Sequence, residues 1–404
     1  MRKIIISMIS FLFIQIGVNA QGITSNIASA KSLSLGGASG VYIKDASSSY
    51  FNPAVTSLLE TNSATMGIGL ISSNSSFLNP LYKNEPESST SPLLLPFNAY
   101  GSYKIDYGMV ASLAINTPFA FGKTWGDDWS GRYITQEIRM KTINFQPTFS
   151  YLIREDLAVG AGFILARSSF LYKHKLQFQD ITSTFTANAF GFGFNIGVWG
   201  KISENTEYGV SFKSPINYDY SDGKAKLGNI PSLLSSKISD NEDVSSAFKT
   251  PYQLSISMSN QLKDHLFLTY QFDLDGWKVY QDLTFDYKNE NLEDVSFLKN
   301  YRNSFAFRVG GEYVFSKEFQ MRGGFYYKDS PIISDEYFSP DFPKSSGLGI
   351  SSGFSYWANK ELSIDFAINL ENTSKKDVKN LQHNFEGVYR TYNYSTIIGV
   401  NYNF

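Results

Sequence analysis

Cysteine is absent from the 404 residues of this chain. That excludes disulfides, a lipid anchor on a cysteine behind a leader peptide, and thiolate metal sites. Beyond the first twenty residues, no stretch approaches the roughly 18 consecutive apolar residues of a helical membrane span. An excess of one charge is lacking too: 35 basic residues face 37 acidic ones, a formal charge of −2. Without a global basic field, nucleic acid is not an expected partner. Histidine is scarce, and His174, His265 and His383 fall in or beside expected loops, with His265 in a turn opposite the others. A Ser–His nucleophile or a His–carboxylate pair needs a histidine facing its partner on a wall or rim. None has such a neighbour, so no catalytic residue, metal site or cofactor is expected; the obvious axial ligands of a haem are scarce as well.

The N-terminus is the exception to the shortage of apolar runs. In MRKIIISMISFLFIQIGVNA, Arg2 and Lys3 precede an apolar stretch from Ile4 to about Val18, and Val-Asn-Ala precedes Gln21. A basic start, an apolar middle and a small-residue cleavage site make residues 1–20 a removed signal peptide. The run falls short of the ~20 residues that a retained transmembrane helix needs. Losing Arg2 and Lys3 leaves 33 basic against 37 acidic residues, or −4. The mature protein is expected outside the cytoplasm.

What the chain has in quantity is aromatic side chains. Tyr, Phe and Trp make 16% of it, although hydrophobic residues reach only 42% and the mean hydropathy is negative. A soluble protein would gather such rings in a core, but here they recur on one face of strand after strand. In ELSIDFAINLE, Leu362, Ile364, Phe366, Ile368 and Leu370 share one face, opposite Ser363, Asp365, Ala367, Asn369 and Glu371. The same period of two sets Phe305, Phe307, Val309 and Tyr313 opposite Arg302, Ser304, Arg308 and Glu312. An apolar outside, a polar inside and many aromatics mark a transmembrane β-barrel.

Connections alternate between short turns with charge or Asn (IREDL, SENTE, LKDHL, SKEF, ANKEL) and long polar stretches, as periplasmic turns and extracellular loops do. Counting predicts fourteen antiparallel strands, at about 63–73, 97–105, 108–118, 137–152, 157–172, 184–201, 206–222, 249–262, 265–287, 301–315, 318–330, 345–358, 361–373 and 388–403. The last alternates to Phe404, a terminal aromatic that resembles the C-terminal signal read by the barrel assembly machinery. That machinery and outer-membrane lipid are therefore expected partners. In the fourth strand Glu137, Arg139 and Lys141 share a face, yet the next polar set is Thr142, Asn144, Gln146 and Thr148. The phase flip near Lys141 marks either a bulge or the point where the strand leaves the bilayer, and the charges above it favour the second.

About eight strands enclose a lumen that side chains fill, whereas about sixteen leave a channel. Fourteen is too wide to seal this way, and many inward positions are small: Gly67, Gly69, Gly191, Gly193, Ser255, Ser257, Gly349 and Ser351. Residues 21–62 are the one segment long enough to fill the space, and roughly 40 residues do not fold alone. Within it, DASSSYFNPAVTSLLE has helix-start grammar: Asn52 as N-cap, Pro53 at N1 and apolar Val55, Leu58 and Leu59 on the following turn, with Asp45 capping a shorter turn ahead. The expected organisation is a signal peptide at 1–20, an N-terminal hatch or plug at 21–62, and an all-β transmembrane barrel at 63–404.

With these segments in order, the chain resembles the FadL/TodX family of outer-membrane transporters for long-chain fatty acids and other hydrophobic compounds. The likeness runs through SLSLGGASGVYIKDASSSYFNPAVTSLL, against the family's hatch with its Asn-Pro-Ala motif, and through WGDDWSGRYITQEIRMKTINFQPTFSYLIREDLAVGAGF. It continues in YGVSFKSPINYDYSDGKAKL, LTYQFDLDGWKVYQDL and FQMRGGFYYKDSPI. The resemblance implies a monomeric fourteen-stranded barrel of the bacterial outer membrane with an N-terminal hatch and passive uptake. In that family a hydrophobic ligand is caught in an extracellular groove, passes to a pocket above the hatch and leaves sideways through a gap in the wall. By motif match, Asn52, Pro53 and Ala54, with Phe51 beside them, are the hatch element near that pocket.

A fatty acid needs an apolar groove for its chain and a cation for its carboxylate. Candidate groove residues are Ile230, Leu233, Leu234, Ile238 and Phe248 before the eighth strand, where PSLLSSKI suits a short amphipathic helix, together with Trp125 and Trp129. The alternative is that they only pack one loop onto another. Candidates for the carboxylate are Arg308, Arg322 and Lys328, inward on adjacent strands, and Arg132 after the Trp pair. Inward charges also pair with lumenal acids such as Glu312 and Asp365. The expected function is passive uptake of hydrophobic small molecules, foremost long-chain fatty acids. The alternatives are a barrel of the same family serving as a protein-partner component of a secretion system, and a surface receptor for haem or another ligand.

Overall fold

The computed structural model describes residues 27–79, 85–177, 180–380 and 382–404; the expected signal peptide and the start of the expected hatch, 21–26, lie outside the described residues. Fourteen strands form the wall: β1 (Ser63–Leu78), β2 (Phe97–Asp106), β3 (Met109–Asn116), β4 (Glu137–Arg154), β5 (Leu157–Lys175), β6 (Thr182–Ser203), β7 (Thr206–Lys213), β8 (Gln253–Lys263), β9 (Leu266–Asp275), β10 (Ser304–Val314), β11 (Phe319–Lys328), β12 (Gly347–Trp357), β13 (Leu362–Thr373) and β14 (Phe385–Asn403). Each pairs antiparallel with the next. The sheet closes where β14 returns to β1, from Ser63 opposite Asn403 to Leu78 opposite Val388. Closure leaves the wall without an edge, which a bilayer demands of β-structure.

The alternation expected from the sequence is the alternation of burial. Phe307 and Val309 are exposed toward lipid while Arg308 and Glu312, between and beside them, are buried in the lumen. Two expected strands are shorter than the pattern suggested. The seventh ends at Lys213 and resumes only as Asn217–Tyr220, because Pro215 has no N–H to give a ladder. The ninth ends at Asp275, where Gly276 and a 3-10 turn at Trp277–Val279 turn the chain before a separate strand at Asp282–Tyr287.

The phase flip in β4 is not a bulge. Its pairing with β5 keeps one register from Glu137 opposite Lys173 to Leu152 opposite Ala158. Arg139, Lys141, Ile143 and Phe145 all point outward, and Ile138, Met140, Thr142 and Asn144 all point inward. The strand instead changes surroundings. Within the bilayer the apolar side faces lipid; above it, water lies outside and the apolar side turns in. An aromatic core consequently fills the extracellular half, with Phe170, Tyr172, Phe185, Phe285 and Phe297 among its members. Each such ring contributes roughly 1.5–3 kcal/mol when fully removed from water.

Residues 27–62 lie against the inward faces of this wall. They form α1 (Ala30–Ser34), α2 (Ser48–Phe51) and a 3-10 turn at Pro53–Leu58. The backbone touches the wall directly: a Cβ added to Gly324 would sit 2.2 Å from Gly36 N, and one added to Gly160 would sit 2.5 Å from the Pro53 carbonyl carbon. Wall side chains satisfy the segment's polar backbone in return. Gln271 Oε1 accepts from Ser39 N and Gly40 N at 3.1 and 3.0 Å, and Gln146 Nε2 and Asn195 Nδ2 both donate to Ser49 O.

Candidate functional site

Asn52 fixes the corner of the lumenal segment. Its backbone is extended, φ −145° and ψ 104°, and its Oδ1 accepts from Ala54 N at 3.1 Å, which caps the 3-10 turn. Pro53 at the first position forfeits no hydrogen bond there. The other half of the amide, Nδ2, donates to Val198 O of β6 at 3.0 Å, so one side chain both starts the turn and pins it to the wall. Seven residues earlier, Asp45 Oδ1 accepts from Ser47 N at 2.9 Å, and Oδ2 pairs with Lys31 Nζ at 2.9 Å. Burial alone would raise the Asp45 carboxyl, but the Lys31 ammonium and the Ser47 hydroxyl and amide outweigh it and hold it below the usual carboxylate range. Asp45 thereby ties α1 to α2.

Between this segment and the long loops lies a cavity of about 180 Å³. Its floor includes Ser32, Gly37, Tyr50 and Phe51, and its roof Phe119, Trp277 and Lys344. Two of the four expected cations line it. Arg308 donates through Nε to Asp273 Oδ2 at 2.6 Å and through Nη1 to Gly36 O at 2.9 Å. Lys328 pairs with Glu371 at 3.0 Å, where Tyr326 also donates at 2.7 Å.

The other two cations lie elsewhere. Arg322 is beyond the segment toward the periplasmic turns, bound to Glu312 at 2.5 Å and to Ser355 at 2.7 Å, beside the Tyr42 hydroxyl that donates to Glu312. It lines a second, polar cavity with Lys31 and Glu207. Arg132 sits in the loop, over the Tyr133 ring at 4.8 Å and bonded to Trp129 O.

Two lysines not singled out from the sequence face the upper cavity. Lys213 Nζ lies 3.5 Å from the centroid of Tyr50, and Lys344 Nζ lies 3.4 Å from that of Trp277. Among the described residues neither forms an ion pair, so the ring faces carry part of what an anion would supply. Burial pushes the Lys344 ammonium down to about 7, against the opposing pull of Asp275. Lys213 was within reach of the alternation, since it follows Ser211 on the inward side of β7, opposite Val210 and Phe212. Lys344 was not, because only the folding of its loop onto Trp277 brings it there.

The expected open groove is a filled core. Trp125 and Trp129 stack at 4.0 Å and, with Ile238 and Phe248, belong to the buried aromatic cluster, against which Ile230 and Leu234 pack. Leu233 points away and is 90% exposed. PSLLSSKI is not a helix but successive turns, closed by Leu234 N to Pro231 O and Ile238 N to Leu234 O. Surrounded by water outside the barrel, these side chains bury themselves against the neighbouring loops.

Beside the cavity the wall carries a bulge. Asn116 of β3 faces Asn144, and Ala120 of the following strand Ala120–Thr124 faces Lys141. Three residues, Thr117 to Phe119, therefore oppose two, and Pro118 adds no donor. The neighbouring stretch above β2 is held by isolated bridges, Ile71 to Leu94 and Thr90 to Thr124, and includes Pro92 and Pro96. Pro118 and Phe119 line the cavity, while Leu93 and Leu95 are exposed.

Residues 12–404 match the family model described as outer membrane protein transport protein (OMPP1/FadL/TodX). The chain is 22% identical over 302 residues to the long-chain fatty acid transport protein of Escherichia coli O6:H1, covering 64% of this chain and 65% of that protein. It is 22% identical to outer membrane protein P1 of Haemophilus influenzae, over 66% of this chain and 53% of that one. The matched part thus spans under two thirds of the length of these two relatives. In fold it is similar to a Pseudomonas aeruginosa FadL homologue, with a TM-score of 0.83 at 16% identity, covering 96% of this chain and 100% of that one. It is also similar to the P. putida toluene transporter TodX, with a TM-score of 0.76 at 15% identity over 96% and 99%. Such identities speak for the fold, and the family match over almost the whole length goes further: the chain is an integral outer-membrane barrel of the OMPP1/FadL/TodX family.

Proposed function

We propose that the protein carries hydrophobic small molecules passively across the outer membrane, that long-chain fatty acids are its ligand class, and that residues 27–62 act as the hatch. The observation behind the ligand class is two ammonium groups in the upper cavity, Lys213 and Lys344, that share one nearby acid, Asp275, without an ion pair to it among the described residues. Of its cations, Arg308 is matched by Asp273 and Lys328 by Glu371. Lys213 and Lys344 rest on aromatic rings instead. A carboxylate on a hydrocarbon chain suits both parts of such a site, whereas a neutral aromatic hydrocarbon offers the ammonium groups only a π face, which Tyr50 and Trp277 already supply.

A ligand in the cavity stands on Tyr50 and Phe51, one residue from the Asn-Pro-Ala corner. Its downward route is closed by the segment. Its sideways route meets the bulge at Thr117–Phe119, where three residues face two. Entry into the bilayer at that point keeps the chain out of water, which is worth about 0.8 kcal/mol per methylene. No energy source is needed beyond the concentration gradient.

Equilibrium binding to purified protein tests the ligand class. Labelled oleate is expected to bind at least tenfold more tightly than oleyl alcohol or toluene, and a Lys213→Met, Lys344→Met double variant to lose that preference. Equal binding of oleate and oleyl alcohol contradicts the reading.

A further inference from the structure

On the outer surface of β4, β5 and β6 the polarity changes within a single rung of the ladder. Phe145, Leu165 and Phe192 lie side by side and outward, and all are exposed. The next rung toward the loops is Ile143, Arg167 and Phe190; the one after it is Lys141, Ser169 and Asn188. Arg167 thus stands on the last apolar rung and Lys141 one rung above it. They are diagonal neighbours across the β4–β5 pair, within reach of one another's long side chains. Lys141 Nζ lies 5.8 Å over the ring of Phe97, at the loop end of the lipid-facing wall.

Three cations closer to the rim on β4 and β5 are neutralised by the protein itself. Lys173 pairs with Asp127 at 2.8 Å, Lys175 with Asp180 at 3.0 Å, and Arg139 with Glu137 at 2.5 Å. Among the described residues Lys141 and Arg167 form no ion pair. The boundary elsewhere is built differently: on β14 it carries Tyr392 and Tyr394, with Arg390 turned onto the Tyr392 ring at 5.8 Å and donating to its hydroxyl at 3.0 Å. The sector of β4 to β6 differs from β14 in placing two outward cations on adjacent rungs as diagonal neighbours.

At the loop end of the apolar band, the headgroups of the outer leaflet are the anions within reach. Guanidinium and ammonium groups at that depth suit phosphate, the first by a bidentate fork and the second as a point charge. We propose that Lys141 and Arg167 form a headgroup site for a phosphate-bearing lipid of the outer leaflet, whose acyl chains lie on Phe145, Leu165 and Phe192. Because Lys141 pairs with Ala120, the first residue past the Thr117–Phe119 bulge, the seated lipid flanks that bulge. This assignment rests on the outer surface alone and stands whatever ligand occupies the lumen.

The test uses the full-length mature protein purified in neutral detergent and offered diphosphorylated lipid A or the same lipid after phosphatase treatment, with retained lipid counted by native mass spectrometry. The wild type is expected to retain the phosphorylated form at least tenfold better, and the Lys141→Gln, Arg167→Gln double variant to lose that difference. Arg390→Gln is expected to retain lipid as the wild type does. A charge-preserving exchange, Lys141→Arg with Arg167→Lys, separates charge from fold and is expected to keep the lipid. Equal retention of both lipids by the wild type, undiminished retention by the double Gln variant, or loss in the charge-preserving one overturns the assignment.

Discussion

Arg308 is one of the side chains through which wall and lumenal segment hold each other, since one guanidinium serves Asp273 of β9 and the carbonyl of Gly36. Replacing it with Gln leaves Asp273, almost fully buried, without its cation. Breaking a buried pair from one side costs about 3–5 kcal/mol. Arg308→Gln should therefore lower the unfolding temperature clearly, and adding Asp273→Asn should recover part of the loss; no recovery means the pair is not its source. Asn52→Ala removes a cap and a tie to the wall, together about 1–2 kcal/mol. That is too little to unfold the barrel but enough to loosen the corner, so single-channel conductance in a planar bilayer should rise above that of the wild type. Lys344 gives a pH dependence. Its folded-state value of about 7 lies well below the ordinary 10.5, so the ammonium is present below that pH and lost as pH rises through it. Oleate affinity should fall between about pH 6 and pH 8, and Lys344→Met should flatten the curve. Arg308 and Lys328 were legible in the sequence because alternation gives the inward side of a strand. Lys344 was not, because a loop residue has no period to read.

At the scale of elements, the bilayer made the strands legible. Lipid on one face and a polar lumen on the other impose opposite solvents on successive residues, and a period of two results. The same signal overran β7 and β9, because alternation persists in Asn217–Tyr220 and Asp282–Tyr287 above the membrane; only Pro215 and Gly276 punctuate it. Phase carried more information than hydrophobicity in β4, where charges on the outer side marked the exit from the bilayer. The loop aromatics were harder to read, since Trp125 and Phe248 look alike in sequence whether they line a groove or fill a core. Which they do depends on loops far apart in the chain meeting, as Phe248 and Phe342 do with ring centroids 5.8 Å apart. The bulge after β3 yields a prediction at this scale. Deleting Pro118 leaves two residues facing two and lets the β4 ladder run on. Oleate should still bind the purified variant, while uptake by cells should drop several-fold; uptake at the wild-type rate would mean the ligand leaves elsewhere.

Taken whole, the molecule has two interiors. Within the bilayer the lumen is polar and crossed by ion pairs, and the segment 27–62 divides a cavity facing the loops from one facing the periplasmic turns. Above the bilayer the polarity is reversed and the space is filled with rings. The arrangement leaves a chamber, bounded by Tyr50 and Phe51 below and Trp277 above, where cations without an ion pair among the described residues and aromatic surface coexist. The central claim is that this chamber passes fatty acids inward. Uptake of radiolabelled oleate by cells that lack any other outer-membrane fatty acid route tests it most directly. The account predicts that the wild-type chain raises uptake severalfold over empty cells and that the Lys213→Met, Lys344→Met variant, present in the membrane at equal amount, does not. Equal uptake with and without the protein would contradict it.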